Sequence, residues 1–231
     1  EDLTNYRARW SEPISSRYRG YEVFQLPPST QGFAALQILN LLEGYDVRSW
    51  GSDTVAYYHH LVEAIKVAFA DRDEWLSDPA HVDIPLARFL SMDYANERRK
   101  LIDPVAARPF EAIEPGIRHG SRAERQAPTG DTVYFCAADS DGLVVSNIQS
   151  IYHDFGAAVI AGDTGIVMQN RGSFFSLDPS HPNSLEPGKR TFHTIIPAML
   201  MKDGKPVLGY GTMGGEGQPQ TQAAMLTRII D

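Results

Sequence analysis

The strongest constraint on the fold is a change of pattern in the middle of the chain. Residues 103–131 hold four prolines, several charges and no apolar period. Before them the apolar residues recur at helical spacing, and after them at the alternation of strands. Ser29-Thr30-Gln31-Gly32 opens a run through Ala35, Leu36, Ile38, Leu39 and Leu42 that stops at Gly44. This predicts a buried helix, with Ser29 or Thr30 as the cap and Gly44 as a left-handed stop. A second helix is expected over about 53–75, with Val55, Leu61, Ile65, Ala68 and Phe69 on its apolar side, and a third over about 91–101. Apart from a short strand at Tyr21–Phe24, the first thirty residues read as irregular.

Beyond the aperiodic stretch, Thr132–Ala138 and Leu143–Ile151 flank the turn Asp139-Ser140-Asp141-Gly142 and predict a hairpin. Further strands are expected at 157–160, 195–201 and 207–210, with a turn at Asp203-Gly204 and a helix from about Gln220. Helices, then a linker over about 103–131, then hairpins predict an α+β architecture in two regions, 1–131 and 132–231.

Composition narrows the function. The 231 residues carry a net charge of −8 with no basic run, which argues against nucleic acid as a partner. The single cysteine, Cys136, excludes an internal disulfide and reads as a buried filler of its strand. No stretch approaches the ~20 apolar residues of a membrane-spanning helix. His59, His60 and Glu63 fall at helical spacing but read as a solvated helix face, so no metal and no cofactor is expected. Gly162-Asp163-Thr164-Gly165 lacks the Lys-Ser/Thr pair of a phosphate loop. His153 and Asp154 suit either a turn or a pocket wall, and Lys189-Arg190 either a structural pair or a carboxylate site.

The chemically informative junction is Thr129-Gly130-Asp131-Thr132, where the linker meets a strand whose first residue bears a hydroxyl. Thr132 could attack the preceding carbonyl, undergo an N→O acyl shift and be released by water as a new N-terminus. Its hydroxyl would then be a nucleophile beside an α-amine of intrinsic pKa ~8 that can act as its base. Taken by itself, a threonine at the start of a strand is far more often a structural residue.

A set of motifs in fixed order adds to this. They are Tyr18-Arg19-Gly20-Tyr21, Pro27-Pro28-Ser29, Leu39–Gly44, Glu63–Arg72, Gly130-Asp131-Thr132, Ala138–Gly142, Phe155-Gly156, Gly162–Gly165, Pro187–Arg190, Met201–Pro206 and Gly214-Gly215. In these the chain resembles the γ-glutamyltranspeptidase family of N-terminal-nucleophile hydrolases over nearly its whole length. The resemblance implies part of an αββα sandwich and a proenzyme that cuts itself at Asp131-Thr132 into a large and a small subunit. Members of the family extend on both sides of these residues, and a substrate-binding arginine belongs to the upstream part. The family nucleophile falls on Thr132 and its supporting hydroxyl on Ser150, eighteen positions on. The two oxyanion amides fall on Gly214 and Gly215. The implied substrates are γ-glutamyl or similar acyl amides, as in glutathione hydrolysis, with water or an amine as acceptor. A higher oligomer and the compartment are left open.

The departures from the family pattern concern the acyl pocket. Tyr152 stands where an asparagine holds the glutamyl head, Phe174 where an aspartate holds the α-amine, and His193-Thr194 where two serines hold the α-carboxylate. Phenylalanine accepts no bond from an ammonium, and histidine is not a hydroxyl. These changes resemble the acylase branch, whose members cleave glutaryl or related amides; Arg171 suits either a carboxylate contact or a surface or structural salt bridge. Asp178 is the nearest downstream carboxylate that could replace the aspartate. The alternative to an enzyme is a family-derived binding domain that never matures.

Overall fold

The computed structural model describes Asn5, residues 7–119 and residues 131–231. A four-stranded antiparallel sheet of order β1-β2-β5-β6 is built from β1 (Ile14–Tyr18), β2 (Tyr21–Gln25), β5 (Ala198–Lys202) and β6 (Lys205–Tyr210). The first two strands come from before the central stretch and the last two from after it, so the sheet ties the two regions together. The helices are α1 (Gly32–Leu42), α2 (Val47–Trp50), α3 (Val55–Trp75), α4 (Leu86–Phe89), α5 (Met92–Arg99) and α6 (Gln218–Ile230). A separate hairpin joins β3 (Asp131–Ala138) to β4 (Val144–Tyr152). The architecture is a mixed α/β one.

Helix α1 is buried along its whole length, its two polar side chains included: Gln37 donates to Asp71 and Asn40 to the Leu90 carbonyl. Leu36, Leu39 and Leu42 pack with Ala64, Val67 and Ala68 of α3, with Ala223 and Leu226 of α6, and with Val23 and Leu200 of the sheet. A second cluster of Phe33, Trp75, Phe89 and Tyr94 closes the far end of α1.

The end signals of α1 differ from the expectation. Its N-cap is Gln31, with no side-chain cap. Thr30 instead donates its hydroxyl to the carbonyls of Leu26 and Pro27, while Ser29 and Gln31 pair their backbones with His193. Gly44 is not a left-handed stop: a Cβ there would lie 2.0 Å from the Arg99 guanidinium carbon, so the glycine makes room for Arg99. Thr54 and Ser91 do cap α3 and α5.

Other expectations are corrected by packing. Ile14–Tyr18 is a strand inside the stretch read as irregular. Val55 is exposed although it was placed on the apolar side of its helix. His60 and Glu63 are buried rather than solvated: His60 stacks on Trp50 with its ring centroid 4.3 Å away, and Glu63 pairs with Lys66. Cys136 is exposed. Residues 157–160 form no strand, only an irregular loop with the bridge Ile160↔Val167.

The first half of the expected linker is a strap on α3. Glu63 accepts from the Arg108 amide, Asp71 from the Gly116 amide and Glu74 from the His119 amide. Ile113 of the strap is itself buried in the core. Three carboxylates spread along one helix thus supply acceptors for three of this segment's backbone amides. The remaining linker positions, 120–130, lie outside the described residues.

The β3–β4 hairpin rests against β6 through two glycines. A Cβ on Gly209 would meet the Val144 side chain at 3.2 Å, and one on Gly211 would meet the Tyr134 ring at 2.3 Å. Tyr134 and Ser146 share a hydroxyl–hydroxyl bond, and Ser146 donates to the Tyr210 carbonyl at 3.4 Å. These contacts fix where the start of β3 points.

Candidate active site

Thr132 sits at an irregularity in the hairpin. Asp131 pairs with Tyr152 but Val133 with Gln149, so Ser150 and Ile151 together oppose Thr132. An extra residue of this kind is a β-bulge, which re-aims the side chains beside it. The outcome is a direct bond: the Thr132 hydroxyl donates to Ser150 Oγ at 3.1 Å, with Thr132 only 5% exposed. Ser150 Oγ also accepts from the Tyr152 amide at 2.9 Å. Tyr152 holds φ at +78°, unusual for a residue with a large side chain, and backbone strain of this sort collects at functional sites.

An open cleft of about 580 Å³ reaches this pair, lined by Thr132, Ser150, His153, Asp154 and Phe155 among others. His153 therefore serves both readings given to it, since it also begins a turn closed by the Gly156 amide.

Several residues expected at the acyl pocket lie close to Tyr152. Its ring lies 4.6 Å from that of Phe174, which lies 4.7 Å from Phe192. The Arg171 guanidinium carbon is 5.1 Å from the centre of the Tyr152 ring, within cation–π range. Arg171 is fully buried and donates Nη1 to the Thr194 hydroxyl at 2.6 Å. Its Nε and Nη2 groups meet no acceptor among the described residues. Burial pulls its pKa down to about 10, still high enough to keep the charge at neutral pH. A buried cation without an anionic partner is costly, and a carboxylate is the group that best relieves the cost.

His193 stands beside this cation. Burial, reinforced by the Arg171 charge, pushes its imidazole down to about 3, so it is neutral at physiological pH. Asp178 accepts from the Ser180 amide and hydroxyl within its own loop. Lys189 pairs with Glu186 and Arg190 with Asp78, both structural links.

Gly214 and Gly215 hold φ at +120° and +54°, conformations that glycine adopts without penalty. The Gly214 carbonyl accepts from the Gly217 amide at 2.9 Å, closing a tight turn into α6. Among the described residues, neither the Gly214 nor the Gly215 amide is taken up by another backbone carbonyl.

One contributor is absent from the expectations. The Gln31 side-chain amide donates to the Thr194 carbonyl at 2.8 Å and to the Gly215 carbonyl at 2.9 Å. It links the acyl-pocket segment to the glycine loop. A glutamine between Thr30 and Gly32 has no local signature of such a role, and only the backbone pairing of 29–31 with His193 could have revealed it.

Thr132 and Ser150 meet in a strand bulge, while Gln31 and Thr194 join the glycine turn to the buried Arg171. The chain belongs to the γ-glutamyltranspeptidase family, whose family description, Gamma-glutamyltranspeptidase, matches residues 1–231. It is 52% identical over all of its length to the glutathione hydrolase-like YwrD proenzyme of Bacillus subtilis strain 168, covering 41% of that protein. It is 41% identical over 99% of its length to the oxamate amidohydrolase proenzyme of Klebsiella pneumoniae, covering 40% of it. Among solved structures, cephalosporin acylase from Bacillus halodurans superposes with a TM-score of 0.87 at 44% identity, over 100% of this chain and 39% of that one. The chain thus spans about two-fifths of the length of these relatives.

Proposed function

We propose that this chain carries the catalytic centre of a self-processing N-terminal-threonine amidohydrolase that favours acyl groups bearing a carboxylate and no α-ammonium. The observation that carries the reading is the Thr132–Ser150 hydroxyl pair at the head of β3. The names of its relatives as proenzymes, one a glutathione hydrolase-like protein and one an oxamate amidohydrolase, support it. The sheet and the hairpin packed on β6 are read as parts of an αββα sandwich, with 1–131 and 132–231 as portions of the large and small subunits.

Maturation begins with attack of Thr132 Oγ on the Asp131 carbonyl carbon. The C–N bond breaks, the acyl group passes to oxygen, and water hydrolyses the ester to an Asp131 carboxylate and a Thr132 α-amine. In turnover that amine takes the hydroxyl proton while Oγ attacks the substrate carbonyl. Gly214 and Gly215 supply amides to the oxyanion, an interaction worth roughly 3 kcal/mol per donor in comparable sites. Ser150 orients Thr132 Oγ. The proton held by the α-amine goes to the leaving amine, and water or a second amine releases the acyl group. No cofactor and no metal enters this scheme.

The acyl preference rests on Arg171, Phe174 and Tyr152. Arg171 and the Thr194 hydroxyl offer a carboxylate a cation and a polar neighbour, with neutral His193 adding no second charge. The aromatic wall of Tyr152 and Phe174 offers a glutamyl α-ammonium no anion, and an unpaired buried ammonium costs several kcal/mol. The test is kcat/KM of the matured protein on glutaryl and γ-glutamyl anilides. The glutaryl compound should be turned over faster. Equal or faster turnover of the γ-glutamyl compound would restore an ordinary transpeptidase assignment. A protein that stays as one band on a denaturing gel would favour the binding-domain alternative.

A further inference from the structure

The glycine turn is held from behind by a relay that the proposed chemistry does not itself use. Arg72, on α3, is almost fully buried and lies 3.8 Å from the centre of the Phe69 ring. Its guanidinium pairs with Asp73 at 2.7 Å and with Glu216 at 3.0 Å. Its Nη1 donates to Gln31 Oε1 at 2.9 Å and to the Glu216 carbonyl at 3.3 Å. With its oxygen thus engaged, the Gln31 amide can point only one way, and its nitrogen donates to both the Thr194 and Gly215 carbonyls.

Each of these bonds fixes a peptide plane. The Gly217 amide holds the Gly214 carbonyl and so orients the next amide, that of Gly215. Gln31 holds the Gly215 carbonyl, in the plane of the Glu216 amide, and Arg72 the Glu216 carbonyl, so both anchor the chain immediately after the two glycine amides. Two consecutive glycines at positive φ have no Cβ to restrict them, so their direction must be imposed from outside. Stabilisation of an oxyanion depends on donors already aimed before charge develops.

We propose that Gln31, oriented by Arg72, is a positioning residue that anchors the far side of the Gly214–Gly215 turn, limiting the directions its amides can take, and ties that turn to the segment at Thr194. The inference rests on the oxyanion role given above to the glycines. It makes Gln31 a determinant of rate more than of affinity, because the oxyanion exists only along the reaction path.

The test compares Gln31→Met, Arg72→Lys, their double variant and Thr132→Ala in the self-processing protein. Maturation is followed by intact mass, and kcat and KM are measured separately on a glutaryl anilide. Gln31→Met should lower kcat roughly 10- to 100-fold, the order of one lost oxyanion donor or somewhat less, with KM changed by less than about threefold. Arg72→Lys keeps the charge but not the fork, and it should lower kcat in the same sense. The double variant should be little worse than Gln31→Met, the non-additivity of two residues acting in series. A purely structural role would instead lower the melting temperature and leave kcat of the folded fraction intact. If Gln31→Met yields no folded protein, Gln31→Glu decides by the same kcat criterion, since it keeps the partner of Arg72 and loses both donors. A matured Gln31 variant with kcat within twofold of the parent would overturn the relay. Turnover surviving in Thr132→Ala would overturn the active-site reading itself, which separates the two failures.

Discussion

The Thr132 hydroxyl donates to Ser150 Oγ across a bulge in the hairpin, at 3.1 Å. The regular pairing of β3 and β4 would set one residue against one. Here two residues of β4 face Thr132, and the hydroxyl eighteen positions away becomes its neighbour.

Removing that neighbour should slow the chemistry without abolishing it. A hydrogen bond to a group that gains charge is worth ~1.5–3 kcal/mol, and ~1.4 kcal/mol is a factor of ten. Ser150→Ala should therefore lower kcat roughly 10- to 100-fold and delay self-cleavage, while Ser150→Thr should restore most of both. Single-turnover kinetics and the time course of subunit appearance check this.

Arg171→Met should separate substrates from stability. Turnover of a glutaryl anilide should fall about a hundredfold, as for a lost charge-assisted pair, while that of a neutral butyryl anilide should stay the same or rise. The melting temperature should hold or increase, because the substitution removes a buried charge with two unpaired donor groups. Equal losses on both anilides would place Arg171 in the scaffold instead of the acyl pocket.

The chain's legibility in sequence followed the range of the interactions. Helix α3, the β3–β4 hairpin and the Asp203-Gly204 turn come from local period and turn chemistry, and all three are present. The start of α1 was misread because Ser29 and Gln31 pair with His193, more than 160 positions away, and its end because Gly44 makes room for Arg99. The strap at 108–119 was read only as linker because its acceptors lie on a helix more than 40 residues earlier. Cys136 was assigned to the interior because alternation along β3 cannot tell which face is covered. At the site, Thr132 and Ser150 were marked by the resemblance and are in contact, whereas the bulge that joins them leaves no trace in composition.

His193 gives a pH signature. Its folded-state pKa of about 3 lies below the ordinary 6.5, so the unfolded chain binds the extra proton in between. Its contribution to stability is complete above pH ~6.5 and is lost as the pH falls toward 3. By pH 5 the loss is at most about 2 kcal/mol, discounted for partial solvent contact. Urea unfolding at pH 7 and pH 5 should show a smaller pH dependence for His193→Gln than for the parent. An unchanged slope would assign acid sensitivity to other groups.

Gly211→Ala tests how the hairpin is seated. The added methyl would lie 2.3 Å from the Tyr134 ring, so strand or ring must move. Such overpacking costs typically ~1–3 kcal/mol. Because Tyr134 is two residues from Thr132 on the same strand, maturation should slow along with the loss of melting temperature. A variant as stable and as fast to mature as the parent would show that the hairpin is not held through β6.

The central claim is that Thr132 is both the residue released by self-cleavage and the nucleophile. Intact mass spectrometry of the protein and of its Thr132→Ala and Thr132→Ser variants tests it most directly. The parent should give two fragments, the second beginning at Thr132. The serine variant should give the same two more slowly, and the alanine variant should stay uncut and inactive. Two-fragment maturation of Thr132→Ala, or a parent cut at another bond, would contradict the account.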